Sequence, residues 1–179
     1  MRWQPVDGTG LEHLTARSEG ASIVISSVVI GGRSGKPYGV HYRIECDQSW
    51  VVRRFDLETT DGRGLRLISD GSGRWTDARG ERMPQFDGCI DIDLAGTPFT
   101  NTLPIRRIDL DVDQGAVEFS MLYVPFDTFA PTADGQHYRC LEVARRYRYE
   151  AVDRTFAADL TVDEDGFVID YPTLFARVS

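Results

Sequence analysis

The stretch YGVHYRIEC, residues 38–46, constrains the fold more than any other. Tyr38, Val40, Tyr42, Ile44 and Cys46 fall on one face and His41, Arg43 and Glu45 on the other. Successive side chains of a strand point to opposite faces, so this period of two dictates a half-buried β-strand rather than an amphipathic helix. The alternation returns in SIVISSVVI, WVVRRFDLE, GLRLI, CIDIDL, RIDLDV, AVEFSMLYV, YRCLEVARRYRYEAV, TFAADLTV and GFVIDY, with Gly- and Asp-rich turns between them. Roughly ten strands result, enough for an all-β fold built as a curved antiparallel sheet, barrel-like, with little or no helix. The one modest helical candidate is GLEHLTARSEG, residues 10–20, which its flanking glycines hold short.

With 179 residues, 41% of them hydrophobic, the chain can bury one sizeable core, and a single β domain over residues 1–179 is expected. The stretches RRFDLETTDGRGLRLISDGSGRW and RRYRYEAVDRTFAADLTVDEDGFVIDY echo each other: Arg-Arg-aromatic strand, second strand, Asp-Gly turn, closing aromatic strand. An internal duplication, roughly 37–94 and 104–175, would leave two similar halves of this kind. Two ordinary hairpins with Asp-Gly turns would look the same. In VEFSMLYVPF, residues 117–126, both faces are apolar. Such a strand meets core on one side and, on the other, either an enclosed cavity or a covering loop.

The charge of −8, from 28 acidic and 20 basic residues, repels phosphate backbones, so no nucleic-acid partner is expected. No signal-peptide-like start and no transmembrane segment is visible, which points to a soluble, cytoplasmic chain. Cys46, Cys89 and Cys140 lack metal-type spacing and read as reduced, buried thiols. GGRSGKP lacks the first glycine and the final hydroxyl of a phosphate-binding loop, and DLDVDQGAVE misplaces the glycine of a calcium loop and lacks its closing acid. Three histidines, none in a ligand pair, and no nucleophile elbow leave no metal site, no cofactor and no assembled catalytic set.

The richest segment is GCIDIDLAGTPFTNTLPIRR, residues 88–107, read as a strand, a polar corner and a second strand. Asp91 and Asp93 project from one strand face about 7 Å apart, where they need donors or cations between them. Arg106 and Arg107 point to opposite sides of the next strand, so one of them can face the acids. Arg53 shares a strand face with Val51, Phe55 and Leu57 and must be paired or reach solvent. Thr97, Thr100, Asn101 and Thr102 supply short polar groups, with Pro98 and Pro104 stiffening the corner. These groups either meet a hydroxyl-bearing ligand or satisfy the corner's own backbone.

Together ISDGSGRW, PQFDGCIDIDLAGTPFTNTLPIRR and DEDGFVIDYPTLFARV resemble the bacterial putative glycolipid-binding family, and the resemblance spans nearly the whole chain, including Trp3 and YRIECDQSW. It implies a curved antiparallel sheet with a concave interior able to accept a lipid or glycolipid, and brings no catalytic residues. The leading expectation is therefore non-enzymatic lipid or glycolipid binding in a barrel-like cavity. Candidate ligand contacts are Asp91, Asp93, Thr97, Asn101, Arg106, Arg53 and Tyr123, with Trp75 as a stacking surface. An enzyme using Asp91 or Asp93 with an arginine anion clamp is one alternative, and a ligand-free protein-interaction domain is another. Oligomeric state is left open.

Overall fold

A computed structural model describes residues 1–178. Within them, fourteen strands form one curved sheet: β1 (Arg2–Pro5), β2 (Leu11–Glu19), β3 (Ser22–Arg33), β4 (Lys36–Asp47), β5 (Val52–Thr59), β6 (Gly64–Ser69), β7 (Trp75–Asp77), β8 (Asp91–Leu94), β9 (Ala116–Val124), β10 (Thr132–Glu142), β11 (Arg146–Ala151), β12 (Ala157–Val162), β13 (Val168–Tyr171) and β14 (Phe175–Arg177). Their spatial order is β7-β6-β5-β4-β3-β2-β1-β14-β13-β12-β11-β10-β9-β8. All neighbours are antiparallel except β8 and β9, and the sheet does not close on itself. Two meanders, β3 to β7 and β9 to β13, thus flank a centre where β1 pairs with β14.

Alternation sets the buried faces. On β4, Val40, Tyr42, Ile44 and Cys46 are buried, and on β3 Ile23, Ile25 and Val29 join them. The buried apolar side chains fall into two clusters. One fills the curve of the first meander with Trp3, Trp75, Phe55 and Phe86 and takes in Ile92, Leu94, Leu122 and Val124. The other lies under the second meander around Phe119, Met121, Tyr138 and Leu160. Strand β9 is apolar on both faces because it stands between them: Leu122 and Val124 serve the first cluster, Phe119 and Met121 the second.

Four turns share one design. Asp47, Asp70, Asp77 and Asp163 each accept, on Oδ1, the backbone N–H groups two and four residues on, at 2.7–3.2 Å. The residue three positions on has positive φ: Gly73, Gly80 and Gly166, but Trp50 in the first turn, at φ 63°. Glycine occupies that conformation without steric cost. Trp50 tolerates it because its ring is buried against Phe167, with centroids 6.1 Å apart.

Two local expectations change. The segment 10–20 is not helical: Leu11–Glu19 is β2, where nine residues pair with β3 and Glu12 and Leu14 point inward. Nor does a second strand carry the arginine pair. After a 3-10 turn at Phe99–Asn101 the chain enters a helix, α1 (Thr102–Ile108), which includes Arg106 and Arg107. Pro104 lies in its first turn, where the missing N–H has no helical acceptor to lose. Asp109 ends it in the left-handed region at φ 52°.

Candidate functional site

Residues 88–107 lie between the two clusters. Ile92 and Leu94 of β8 face the first cluster, so Asp91 and Asp93 face the second, beside Met121 and Tyr123 of β9. The two carboxylates then diverge. Asp91 is fully buried and held by Arg107 from α1: Nη2 to Oδ2 at 2.6 Å, Nε to Oδ1 and Oδ2 at 3.1 and 3.2 Å. Burial raises its pKa, and the guanidinium opposes that shift. Asp93 has no cation against it. Thr100 Oγ1 donates to Oδ1 at 3.1 Å and Gln136 Nε2 to Oδ2 at 2.6 Å. Its pKa is also raised, chiefly by burial, with the neighbouring Asp134 adding to the shift.

Asp93 forms part of the floor of a cavity of about 410 Å³ at the open side of the second meander. Leu94, Thr97, Asn101 and Tyr123 complete that floor. Tyr149, Phe156, Tyr171 and Phe175 form an aromatic wall, and Arg33, Asp134, Asp153 and Thr155 are further lining residues. A buried polar layer fixes the floor. Tyr138 donates to Asn101 Oδ1 at 2.8 Å, and Asn101 Nδ2 donates to the Pro98 carbonyl at 2.9 Å. Thr97 donates to Glu12 Oε2 at 2.5 Å and accepts the Phe99 N–H at 3.0 Å. Glu12 is itself buried and accepts Ser27 and Tyr42 hydroxyls at 2.6 Å each on Oε1, while burial raises its pKa.

Of the expected contacts, Asp93, Thr97, Asn101 and Tyr123 meet at this cavity, and Asp91 is sealed behind it. The others lie elsewhere. Trp75 is fully buried in the first cluster, where its indole N–H donates to the Cys89 carbonyl at 2.7 Å. Arg106 stands over the Trp50 ring, 5.3 Å from its centroid, because it points away from β8 where its helical neighbour Arg107 points toward it. Arg53 does not share the inward face of Phe55 and Leu57. A bulge opposite Glu45 and Cys46 turns it outward, where it pairs with Asp47 at 2.8 Å and donates to the Asp70 carbonyl.

The aromatic wall was not among the sequence candidates, although the alternation in YRYEA places Tyr149 and Ala151 on one face of β11, and both line the cavity. Glu12 was hidden by the helical reading of its segment.

A family model described as "Putative glycolipid-binding" matches residues 1–177. The crystal structure of a DUF1089 family protein from Pseudomonas aeruginosa is similar, with a TM-score of 0.80 and 41% sequence identity over 93% of this chain and 92% of that one. Comparison with curated proteins found no match.

Proposed function

We propose, for a chain that belongs to the putative glycolipid-binding family, that the cavity of the second meander takes the hydroxyl-bearing head group of a lipid or glycolipid and binds it without transforming it. The observation that carries this reading is Asp93: a carboxylate held by neutral donors only, in a cavity that Tyr149, Phe156, Tyr171 and Phe175 also line. Carboxylate, amide and hydroxyl groups accept and donate to sugar or glycerol hydroxyls, while ring faces cover the apolar side of such a group. At about 410 Å³ the cavity suits a small head group and leaves no room for a long acyl chain as well. The tail would run out past Leu174 and Val6, both exposed and joined by a backbone hydrogen bond of 2.9 Å.

Native mass spectrometry after incubation with a total bacterial lipid extract tests this. The reading expects one reproducible lipid adduct, absent from the Ala151→Trp variant, whose indole fills the cavity. A clean apo mass, or an adduct that survives the filled cavity, overturns it.

One observation favours a second reading: a cavity-facing carboxylate with raised proton affinity is also what a general acid needs. Asp91, locked by Arg107, is not available as a second acid. Turnover of chromogenic glycosides or esters that disappears in Asp93→Asn would establish the enzyme; intact substrate recovered after long incubation favours the binder.

A further inference from the structure

The cavity's charge is lopsided. Three carboxylates, Asp93, Asp134 and Asp153, line it against one guanidinium, Arg33. Among the described residues, none of the three forms an ion pair. Asp93 is held by Thr100 and Gln136, Asp134 accepts the Gly135 N–H at 2.8 Å, and Asp153 accepts the N–H and hydroxyl of Thr155 at 3.0 and 2.7 Å. Elsewhere this chain pairs its acids readily, as in Arg54 with Asp56, Arg82 with Asp87 and Arg148 with Asp159. Arg33 is turned to Tyr123, donating to its hydroxyl at 3.2 Å.

The wall has a matching character. Tyr149, Phe156 and Tyr171 form a triangle with centroids 6.0–6.1 Å apart and planes tilted 46–58° to one another. Rings at such mutual tilts can present more than one π face to a small guest, and those faces carry partial negative charge. A neutral sugar can stack on one ring and donate hydroxyls to a carboxylate but gains nothing from the net negative charge of three, and an anionic head group would be repelled by them.

We infer that the head group taken by this cavity carries a positive charge, a primary amine or quaternary ammonium set among hydroxyls, with Asp93 as its counter-ion at the floor and the tilted aromatic wall as its π surface; this rests on the binding reading above. Asp134 and Asp153 draw the cation in, and Arg33 opposes it.

Three soluble probes identical except at one sugar position test it: octyl glucoside, octyl 2-amino-2-deoxyglucoside and its N-acetyl derivative. They are titrated calorimetrically at low salt, in buffer acidic enough to protonate the amine. The amine should bind about tenfold tighter than either neutral probe, and high salt should erode that preference. Asp93→Asn should abolish the preference, so that the amine and the two neutral probes bind the variant alike, whatever the variant costs in affinity for all three. Asp153→Asn, in an exposed turn where folding is not at stake, should lower the preference about threefold, and Arg33→Gln should raise it. Three probes of equal affinity overturn the charge assignment and leave the binding reading standing. If none binds, the binding reading falls and the charge assignment falls with it.

Discussion

The two meanders are built from the same kind of strand and turn, yet one is filled and the other left open. In the first, Tyr38, Phe126 and Phe129 plug the space, Tyr38 edge-on to Phe126 at 5.2 Å and Phe126 stacked on Phe129 at 5.3 Å. In the second, Tyr149, Phe156, Tyr171 and Phe175 line a cavity together with polar groups such as Asp93, Thr97 and Asn101. Asp91 and Asp93 repeat the contrast within a single strand. A carboxylate sealed by an arginine is a structural element, while one left on neutral donors at a cavity is the one to which the proposed function assigns a ligand.

The sharpest way to break this contrast is to unseal Asp91. Arg107→Met leaves a buried carboxylate without its counter-ion and should destabilise the protein by about 3–5 kcal/mol, read from the urea midpoint. Adding Asp91→Leu should return most of that loss, because an apolar pair replaces the ion pair. If the single variant costs less than about 1 kcal/mol, water reaches Asp91 and the two acids are alike after all.

Overfilling the closed half comes next. A methyl at Gly96 would meet the Phe126 ring at 2.3 Å. Gly96→Ala should therefore cost about 1–3 kcal/mol as the plug shifts.

Asp93→Asn should do the opposite. Its folded pKa lies above the ordinary 3.8, so wild-type stability linked to this group is fully present below that value and is lost as pH rises through the folded pKa. The amide does not ionise. The variant should match wild type at acid pH and exceed it by about 1 kcal/mol at neutral pH, by thermal melts at both. Lower stability at both pH values would show that the carboxylate is needed for folding rather than kept for a ligand.

The smallest effect belongs to Arg63, whose guanidinium lies 4.4 Å from the Phe129 centroid as a lid on the plug. With its solvent exposure, Arg63→Ala should cost only about 0.5 kcal/mol.

The legible part of the molecule was whatever a single strand can declare about itself. Tyr42, Ile44 and Cys46 announce their burial by alternation alone, and Asp70 and Asp163 announce turns by the glycine three residues later. β2 was opaque because Glu12, an ionisable group on its inward face, mimics the polar side of a helix; only hydroxyls from β3, β4 and Thr97, 15 to 85 residues away, make its burial tolerable. Arg106 and Arg107 were opaque for the reverse reason. Period two continues through TLPIRRID by chance, whereas Pro104 in a first helical turn and Asp109 as a left-handed end are signals that only the helix explains. The polar corner could be seen at Thr97 and Asn101, but its aromatic counterpart could not, because β11 and β13 arrive from 50 to 70 residues downstream and only the sheet order brings them together.

That sheet order has a consequence for how the protein is made. The middle of the sheet joins Arg2–Pro5 to Phe175–Arg177, and the Trp3 indole N–H donates to the Val168 carbonyl at 2.7 Å across 165 residues. During synthesis the first meander can assemble early, but β1 keeps a bare, unpaired flank until β14 has emerged to pair with it. Trp3 is thus a reporter of the β1–β14 closure, and its environment should change only after the first meander has acquired protease resistance.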